Sequence, residues 1–356
     1  MIQPFFSIIM PAYGVEAYIE QALTDIVSQT FDDWELIVVD DCSPDRSAAC
    51  AEKYAEGDRR IRVVHHKENR GLAEARNTGI QEARGCYIWF PDPDDRYETT
   101  LLSEVRDSLK QNPAAVVLFG HVQEYYRAHS EFLYSNKLAL TPARYTSAPQ
   151  LRPRIIYLEQ ETHYGYAWNK VYNLTYIKEH HFTYKNLALI EDVLFNIDFF
   201  QDIDTLNILA STPYRYAKRT NESLTNKHLA NYYELHHARI KALYEQQKTW
   251  GTFDATAKAI LGSLYGRYIL SALQRNCEPE SHMNHTQRIA WCKMLFEDPL
   301  FEELLTAARA NHSKALALCL FFLKRKQARM CVFLGRSIHI AKTKSFTLFT
   351  KIRSDR

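Results

Sequence analysis

The strongest constraint on the fold is an alternation, over the first 120 residues, between short apolar runs and segments with helical periodicity. The apolar runs are continuous, whereas a strand with one face in water alternates apolar and polar residues. Each run precedes a segment in which apolar residues recur every three to four positions. This order predicts an α/β fold with a parallel sheet covered by helices on both faces. The predicted strands are residues 5–10, 34–39, 61–64, 87–90 and 115–119, and predicted helices include residues 19–27, 71–83 and 99–109.

Polar residues follow several of these predicted strands, at the point where each strand ends. In open parallel sheets, ligands bind outside the carboxyl ends of the strands. We therefore expect one edge of the sheet to gather Tyr13, Asp40, Asp41, Asp92, Asp94 and Asp95. No GxGxxG follows the first strand and no GxxxxGK[ST] occurs in the chain, which disfavours dinucleotide and P-loop nucleotide binding.

The segment Asp92-Pro93-Asp94-Asp95 places three carboxylates within four residues. Neighbouring carboxylates repel each other unless a cation or hydrogen-bond donors offset their charge. A divalent cation with oxygen ligands does this and also binds a diphosphate, so the segment is a candidate metal site. The alternative is a solvated turn, for which Asp and Pro are common residues. A carboxylate of Asp40 or Asp41 could likewise accept hydrogen bonds from a nucleobase or ribose. The alternative is helix capping through Ser43 and Asp45, which explains Asp40 and Asp41 less well.

The second part of the chain, residues 226–356, lacks this strand pattern and predicts helices. Its end combines Leu and Phe residues with many Lys and Arg residues and a single Asp after Ser313. A basic amphipathic segment can lie on an anionic membrane surface; the alternatives are a packed helix with a solvated face and an RNA-like contact. The longest apolar run in this tail, residues 315–323, is shorter than the ~20 residues that cross a bilayer. The segment therefore predicts peripheral contact with the membrane.

Composition narrows the class of protein further. Hydrophobic residues make up 46% and charged residues 24% of the chain, which excludes a disordered or rod-like protein. The formal net charge of +2 argues against a general binder of nucleic acid. None of the seven cysteines forms a CxxC pair, which suits a reducing cytoplasm. The N-terminus lacks the charged region and cleavage site of a signal peptide, so a cytoplasmic location is expected.

Three sequence blocks together resemble glycosyltransferase family 2, whose members have the GT-A fold. The first and most specific comprises PAYGVEAYIEQALTDIVSQTFDDWELIVVDDCSPDRS and ENRGLAEARNTGIQEARGCYIWFPDPDD. The second is WNKVY at residues 168–172 with EDVLF at residues 191–195, and the third is YRYAKRTNESLT at residues 214–225. The third block is similar to a loop that closes over the nucleotide sugar, and His228 beyond it is a further candidate metal contact. The resemblance implies a GT-A domain over residues 1–225 and a helical C-terminal region over residues 226–356.

The resemblance also implies a role for individual residues of the site. The nucleotide pocket would be lined by Pro11, Ala12, Tyr13 and Glu16, the base held by Asp41 and Asp40, and the diphosphate or base approached by Arg76. The DxD pair would be Asp92 and Asp94, with Asp94 as direct metal ligand and Asp92 contacting the metal or the ribose. Asp192 would be the catalytic base, and Trp168, Lys170 and Glu191 would shape the sugar and acceptor side. Departures from the family pattern are Gly14 in place of Asn, Cys42 in place of Gly, and Pro93 inside the DxD pair.

The predicted function is therefore inverting, metal-dependent sugar transfer from a nucleotide sugar, most simply a UDP-sugar, to a hydroxyl of a glycan acceptor. The expected cofactor is Mn²⁺ or Mg²⁺, and the transferred group a hexose or N-acetylhexosamine. The expected setting is biosynthesis of lipopolysaccharide, lipooligosaccharide or capsule, at the inner face of the cell membrane. Two alternatives remain open: a nucleotidyltransferase on a similar sheet, and a non-catalytic protein that binds sugar nucleotides.

Overall fold

A computed structural model of the chain describes residues 3–127, 131–219, 229–310 and 313–344. Residues 220–225 of the third sequence block, His228 and the end of the basic tail lie outside the described residues. The chain divides into two units, Met1–Asn226 and Lys227–Arg356.

The first unit contains all the strands of the structure's described part and seven helices. The strands are β1 (Phe6–Ala12), β2 (Trp34–Asp40), β3 (Ile61–His65), β4 (Tyr87–Trp89), β5 (Arg96–Tyr97), β6 (Val116–Leu118), β7 (His121–Arg127), β8 (Glu131–Leu138), β9 (Ala143–Tyr145), β10 (Lys170–Asn173), β11 (Leu206–Ile208) and β12 (Tyr214–Arg219). The helices are α1 (Ile19–Val27), α2 (Ser47–Gly57), α3 (Leu72–Glu82), α4 (Leu101–Gln111), α5 (Ala148–Gln160), α6 (Leu174–Glu179) and α7 (Glu191–Phe200).

The main sheet has eight strands in the order β3-β2-β1-β4-β10-β6-β11-β9. Strands β3, β2, β1 and β4 run parallel, and β10 runs antiparallel between β4 and β6. All seven residues of β1 are buried, which agrees with the continuous apolar run of the sequence. The prediction of an α/β fold with a mostly parallel central sheet is therefore confirmed.

Helix α3 lies very close to β1, and one glycine allows this approach. A Cβ atom added at Gly79 would lie 2.1 Å from Cγ2 of Ile9. The side chain of Ile9 therefore occupies the space that a side chain at position 79 would need. The close packing fixes the position of α3, which carries Arg76.

A second sheet of four strands, in the order β5-β12-β7-β8, was not predicted from the sequence. Strands β12 and β7 run parallel, whereas β12 with β5 and β7 with β8 run antiparallel. Strand β5 follows the Asp92–Asp95 turn directly, so β12 is held beside that turn.

The second unit is helical throughout its described residues, as the sequence predicted. Its helices are α8 (Tyr232–Thr249), α9 (Ala255–Arg275), α10 (His285–Phe296), α11 (Pro299–Leu305), α12 (Lys314–Lys324) and α13 (Ala328–Lys344). Polar side chains satisfy backbone N–H groups at several helix starts: Asp254 accepts from Ala257 N, and Asn284 forms a capping box with Gln287. All seven cysteines of the chain are unpaired.

Candidate active site

Three parallel strands bring the first predicted site residues to one edge of the main sheet. Strand β1 pairs with both β2 and β4, so the segments after Ala12, Asp40 and Trp89 leave the sheet side by side. Pro11 and Ala12 are buried at the end of β1, and Tyr13 beyond them is 51% exposed. This is where the strand-end rule places a ligand. That these residues contact a nucleotide stays a prediction.

The loop after β1 is tied to the start of α2 by Glu16. Its carboxylate accepts hydrogen bonds from Arg46 Nε at 2.6 Å and from the backbone N–H of Arg46 at 3.1 Å. The backbone N–H of Glu16 in turn donates to Asp45 at 3.0 Å. Glu16 therefore lies beside the candidate pocket, with its carboxylate engaged by Arg46 in this structure.

Asp40 and Asp41 end β2 in a network of donors from the protein itself. The carboxylate of Asp41 accepts from the backbone N–H groups of Arg70 (2.9 Å) and Gly71 (2.7 Å) and from His66 Nδ1 (2.6 Å). Asp40 accepts from Ser43 N at 3.1 Å and lies 3.2 Å from a ring nitrogen of His65. Because Gly71 immediately precedes α3, Asp41 positions the helix that carries Arg76. A role in holding the base stays a prediction for both carboxylates.

The backbone conformation at Cys42 explains why the family pattern has Gly at this position. Cys42 has a φ of 60°, in the left-handed region that favours glycine. A residue with a Cβ atom is strained there by roughly 1–2 kcal/mol. The family preference for Gly at this position therefore has a conformational cause, and this chain tolerates the strain.

The centre of the site is Arg76, whose side chain is 1% exposed. Its Nη1 donates to Asp192 Oδ1 at 2.5 Å and its Nη2 donates to Asp92 Oδ1 at 3.1 Å. The planar guanidinium thus joins two carboxylates that lie one hundred residues apart in the sequence. Tyr184 lies against the same group, with its ring centre 5.1 Å from Cζ of Arg76.

Burial and mutual repulsion perturb the pKa values of this cluster. Burial alone would lower the pKa of Arg76, but Asp192 and Asp92 outweigh it and raise the pKa above the ordinary value. Burial raises the pKa of Asp92 to about 7, against the opposing effect of Arg76. Burial, reinforced by Asp192, raises the pKa of Glu191 to about 7. Clustered groups with perturbed pKa values at a strand-end cleft are typical of functional sites.

Asp94 points to a different partner from Asp92. Its Oδ2 accepts from Arg219 Nη1 at 2.9 Å, and its backbone carbonyl accepts from Arg219 Nη2 at 2.7 Å. The guanidinium of Arg219 also lies over the ring of Tyr18, 4.0 Å from its centre. The end of β12 therefore brings a cation to the predicted metal ligand.

Asp95, by contrast, stabilises the position of the turn itself. It is 2% exposed and accepts hydrogen bonds from Tyr214 Oη at 2.7 Å and from the backbone N–H of Ala217 at 2.8 Å. Both donors belong to β12, so Asp95 fixes the turn to the second sheet.

Asp192 occupies the first turn of α7, where its Oδ2 accepts from the backbone N–H of Ala167 at 3.2 Å. This contact joins the predicted base to the loop that precedes β10. The neighbouring Glu191 is half-buried, and its Oε2 makes no hydrogen bond within the described structure. The geometry brings Asp92, Arg76, Asp192 and Glu191 together; their catalytic and binding roles stay predictions.

Lys170, which is predicted to shape the sugar and acceptor side, is engaged by the protein itself in this structure, and its role there stays a prediction. Lys170 is fully buried, and its Nζ donates to the backbone carbonyls of His163, Tyr164 and Tyr166 and to the side chain of Asn169, at 2.5–3.0 Å. Burial lowers the pKa of Lys170 to about 7, while Asp192 opposes this effect. The amine holds the loop over residues 163–169 and so acts on Asp192 indirectly.

Trp168 lies in the same loop and is only 2% exposed. Its indole stacks on Tyr214 at 4.4 Å and on Tyr166 at 4.6 Å between ring centres. Its backbone carbonyl accepts from Trp89 Nε1 at 2.7 Å. Little of the Trp168 surface is therefore available to a ligand, and its role in shaping the acceptor side stays a prediction.

The residues around Asp92 and Asp94 fit a divalent cation that arrives together with a diphosphate. Within the described structure, no group of three or more His, Cys, Asp or Glu side chains could hold a metal by itself. Mg²⁺ commonly binds through one or two carboxylates and completes its coordination with phosphate oxygens and water. Asp92 and Asp94 supply such carboxylates. Burial is the main cause of the raised pKa of Asp92, repulsion from Asp94 and Asp192 adds to it, and a cation would relieve that repulsion.

Sequence reasoning missed three residues that organise the site: Arg219, Tyr214 and His66. Arg219 and Tyr214 lie in the third sequence block, but nothing in that block shows which of its basic or aromatic residues approach the Asp92–Asp95 turn. His66 follows β3 and meets Asp41 only because β2 and β3 are paired in parallel. In each case the contact spans distant segments of the sequence.

Comparison with known proteins identifies the family. Residues 7–180 match the family model described as glycosyl transferase family 2, and the chain belongs to this family through that part of its sequence. A similar curated protein is the glycosyltransferase EpsJ of Bacillus subtilis, which is 33% identical over 223 residues, or 62% of this chain and 63% of EpsJ. The chain spans about half to two thirds of the length of EpsJ and the related TuaG and EpsH.

Solved structures show the same fold. Residues 1–349 of Staphylococcus aureus TarS, in complex with UDP-GlcNAc, superpose with a TM-score of 0.67 over 95% of this chain and 92% of that one, at 20% identity. The mannosyltransferase PcManGT of Pyrobaculum calidifontis, in complex with GDP-Man and Mn²⁺, superposes with a TM-score of 0.50 over 96% of this chain and 88% of that one, at 13% identity. At these identities the likeness concerns the fold alone.

Proposed function

We propose that the chain transfers a sugar from a nucleotide-sugar donor to a hydroxyl group of a glycan acceptor and inverts the configuration at the anomeric carbon. The observation that carries this proposal is the buried guanidinium of Arg76, which holds Asp92 and Asp192 in one site. A metal-ligand candidate and a base candidate thus lie on either side of a single cation, within the domain that belongs to glycosyltransferase family 2.

In the proposed reaction, the acceptor oxygen bonds to the anomeric carbon while the bond from that carbon to the diphosphate oxygen breaks. The diphosphate leaves with the electron pair, and the acceptor proton passes to Asp192. Each carboxylate oxygen has two lone-pair directions, so Asp192 can accept this proton while it remains bonded to Arg76 and Ala167. A base in this position contributes about 10²–10⁴-fold to the rate.

The diphosphate gains negative charge as it leaves, and the site needs cations to stabilise it. Asp92 and Asp94 would hold Mn²⁺ or Mg²⁺, which acts as a Lewis acid on phosphate oxygens when bound. Arg219, placed 2.9 Å from Asp94, is a second cation at the same turn. The pairing of Asp94 with Arg219 would rearrange when a diphosphate competes for that arginine.

A UDP-sugar as donor and a surface glycan as acceptor are supported by the comparisons only as proposals for this chain. TarS has the same fold and was solved with UDP-GlcNAc, and its curated name is poly(ribitol-phosphate) beta-N-acetylglucosaminyltransferase. A polymeric acceptor at the cell surface also suits the lipopolysaccharide, lipooligosaccharide or capsule setting that the sequence predicts. The expected transferred group is a hexose or N-acetylhexosamine.

The test is a screen of UDP-, GDP- and dTDP-sugars for slow hydrolysis without acceptor, in the presence of Mn²⁺ and in the presence of a chelator. We expect one donor to be hydrolysed and the chelator to stop the reaction. Asp192→Asn should lower transfer to an acceptor by about 10²–10⁴-fold while nucleotide binding persists. The matched control is Asp33→Asn, which alters an exposed carboxylate outside the site. Equal transfer by Asp192→Asn and wild type would remove Asp192 from the mechanism.

The screen separates the two alternative functions when it also includes nucleoside triphosphates together with a sugar phosphate. A nucleotidyltransferase would release pyrophosphate from a nucleoside triphosphate in the presence of a sugar phosphate. A non-catalytic protein would bind a nucleotide sugar and leave it intact in both conditions.

We also propose that α12 and α13 contact an anionic membrane surface at the cytoplasmic face. Large apolar side chains are exposed along these helices, namely Leu318 (45%), Phe321 (46%), Met330 (40%) and Phe333 (64%). Lys and Arg residues accompany them, and Arg325 lies over the ring of Phe321 at 3.7 Å. Each basic residue near an anionic surface adds about 1 kcal/mol to binding. Among the described residues, no helix has the length and apolar character needed to cross a bilayer.

Sedimentation with vesicles tests this contact. We expect the full chain to bind vesicles that contain phosphatidylglycerol and to bind pure phosphatidylcholine vesicles weakly. Phe333→Ser should reduce binding, whereas Met294→Ser, which removes an apolar side chain of similar exposure on α10, should not. Equal binding by Phe333→Ser and wild type would place the contact elsewhere or exclude it.

A further inference from the structure

One face of the second sheet carries a continuous set of aromatic, amide and amine side chains. Strand register places Lys218 of β12 beside Tyr125 of β7, and Tyr125 opposite Tyr134 of β8. One pair further along, Tyr216 lies beside Gln123, and Gln123 lies opposite Asn136. We call this surface the aromatic face; its residues are Tyr216, Lys218, Tyr125, Asn136 and Tyr134. They surround the buried Gln123, whose Oε1 accepts from Lys218 Nζ at 3.0 Å and from Tyr125 Oη at 3.1 Å.

The side chains of the aromatic face contact one another and so hold their rings in position. Tyr125 and Tyr134 stack with 4.4 Å between their centres and 16° between their planes. The Nζ of Lys218 lies 5.4 Å from the ring of Tyr125 and 5.6 Å from the ring of Tyr216. Tyr134 is 42% exposed on the outermost strand, so burial does not explain why an aromatic ring lies there. An organised and partly exposed aromatic surface indicates a binding role.

The aromatic face is continuous with the candidate base. The partly exposed ring of Tyr216 lies 5.9 Å from the partly exposed ring of Tyr166, and the buried Trp168 packs on both, at 5.2 Å and 4.6 Å. Ala167 lies between Tyr166 and Trp168 in the chain, and its backbone N–H donates to Asp192 at 3.2 Å. A ligand that begins at Asp192 can therefore pass over this loop and onto the sheet without leaving an aromatic surface.

The opposite face of the same sheet meets the predicted metal site. Arg219, next to Lys218 in the chain, points to that face and pairs with Asp94. In β8, a register shift leaves Leu133 without a partner in β7, so Phe132 packs on Tyr126 instead of lying on the aromatic face. At the end of β12, Arg219 and Lys218 thus point to opposite faces of one small sheet.

We propose that the aromatic face binds the sugar chain of the acceptor, which extends from the reacting hydroxyl at Asp192 outward to Tyr134; this rests on the glycosyl transfer proposed above. Sugar rings present apolar C–H faces that pack on aromatic rings, and hydroxyls that hydrogen-bond to amide and amine groups. The aromatic face offers both chemistries. Its three strands span about 10 Å at the usual strand spacing, which accommodates more than one sugar ring. The acceptor is therefore an oligosaccharide rather than a single sugar.

The experiment measures binding of the full chain to bacterial surface oligosaccharides of one to six residues, immobilised as an array and followed by interferometry. We expect wild-type affinity to increase with chain length. Tyr134→Ala should weaken binding of oligosaccharides of three or more residues by about five- to tenfold, as expected for loss of one aromatic contact, and Tyr134→Trp should restore it. Phe132→Ala is the matched control, because it removes an exposed ring from the opposite face of the same strand. Thermal unfolding of each variant checks its fold.

Three results would overturn the proposal: no binding of any oligosaccharide, affinity independent of length, or an equal loss in Phe132→Ala and Tyr134→Ala. A change of oligomeric state in Tyr134→Ala, measured by light scattering, would assign the aromatic face to self-association and would also overturn it. Donor hydrolysis by the wild type reports on the proposed function separately. Donor hydrolysis without length-dependent binding would contradict only the role proposed for the aromatic face. Binding that depends on Tyr134, without hydrolysis of any donor, would contradict only the proposed sugar transfer.

Discussion

Replacing Arg76 tests whether one guanidinium organises the candidate active site. Arg76→Met keeps a long side chain but removes the charge and both hydrogen bonds to Asp92 and Asp192. The two carboxylates would then face each other in a site where burial already raises the pKa of Asp92. Arg76→Lys keeps the charge but loses the planar fork that reaches both carboxylates at once.

The size of the effect follows from burial. Breaking a buried ion pair by removing one partner costs about 3–5 kcal/mol. The side chains of Asp92 and Asp192 retain 26% and 19% exposure, so water partly compensates them. We therefore expect about 3 kcal/mol for Arg76→Met, near the lower end of that range. At roughly 2–4 °C per kcal/mol for a unit of this size, the melting midpoint should fall by about 6–12 °C.

The assay combines urea unfolding with a double-mutant cycle. The single variants are Arg76→Met and Asp192→Asn, and the third is their combination. If the guanidinium stabilises the protein by neutralising Asp192, removing the charge of Asp192 should recover part of the loss. The expected coupling energy lies within about 0.5–3 kcal/mol for groups in direct contact. Arg76→Lys should fall between wild type and Arg76→Met.

Two outcomes would refute this reasoning. If Arg76→Met is as stable as wild type, the cost of burying the ion pair cancels its attraction, and Arg76 does not stabilise the site. If the effects of Arg76→Met and Asp192→Asn simply add, the contact between them carries no energy. Either result would show that the contact between Arg76 and Asp192 does not stabilise the fold, and the role of Arg76 would then rest on donor hydrolysis and transfer alone.

Further predictions concern packing and pH. Gly79→Ala should destabilise the protein by about 1–3 kcal/mol in urea unfolding, because its Cβ would clash with Ile9, whereas Gly57→Ala has open space and should be neutral or stabilising. Burial lowers the pKa of His121 to about 3 and that of His163 to about 4. The unfolded chain therefore binds more protons below pH 6.5, and each histidine removes about 2 kcal/mol of stability between pH 7 and pH 5. The stability difference between wild type and His121→Gln should shift by this amount in favour of the variant at pH 5; a constant difference would contradict the buried neutral state.

The first half of the main sheet was predictable because its sequence pattern is local. Continuous apolar runs such as residues 34–39 form strands that are buried on both faces, and β2 (Trp34–Asp40) matches that run closely. The polar residues at the strand ends follow from the same pattern, since parallel strands end at one edge. Asp41 and Asp92 therefore come to one edge of the sheet, as predicted.

The second sheet was not predictable, since its strands lack that pattern. Strand β8 (Glu131–Leu138) is exposed along almost its whole length, and β12 (Tyr214–Arg219) is rich in charged residues. The burial of Lys170 was also unexpected, because the four oxygen atoms that make its position favourable converge on Nζ only when the loop over residues 163–169 is folded. The adjacent rings of Tyr125 and Tyr126 point to opposite faces of this sheet, where each packs on a ring of β8.

In strand β12, the alternation of side chains between the two faces of the sheet sends Arg219 towards the proposed donor site and Lys218 towards the proposed acceptor surface. Successive side chains of a strand point to opposite faces, so Arg219 reaches Asp94 while Lys218 lies between the rings of Tyr125 and Tyr216. A shift of one residue in the pairing of β12 with β7 would exchange these faces. Asp95 opposes such a shift, because it accepts hydrogen bonds from Tyr214 and from the backbone of Ala217, both in β12. Asp95 therefore stabilises the register on which the proposed positions of Arg219 and Lys218 depend.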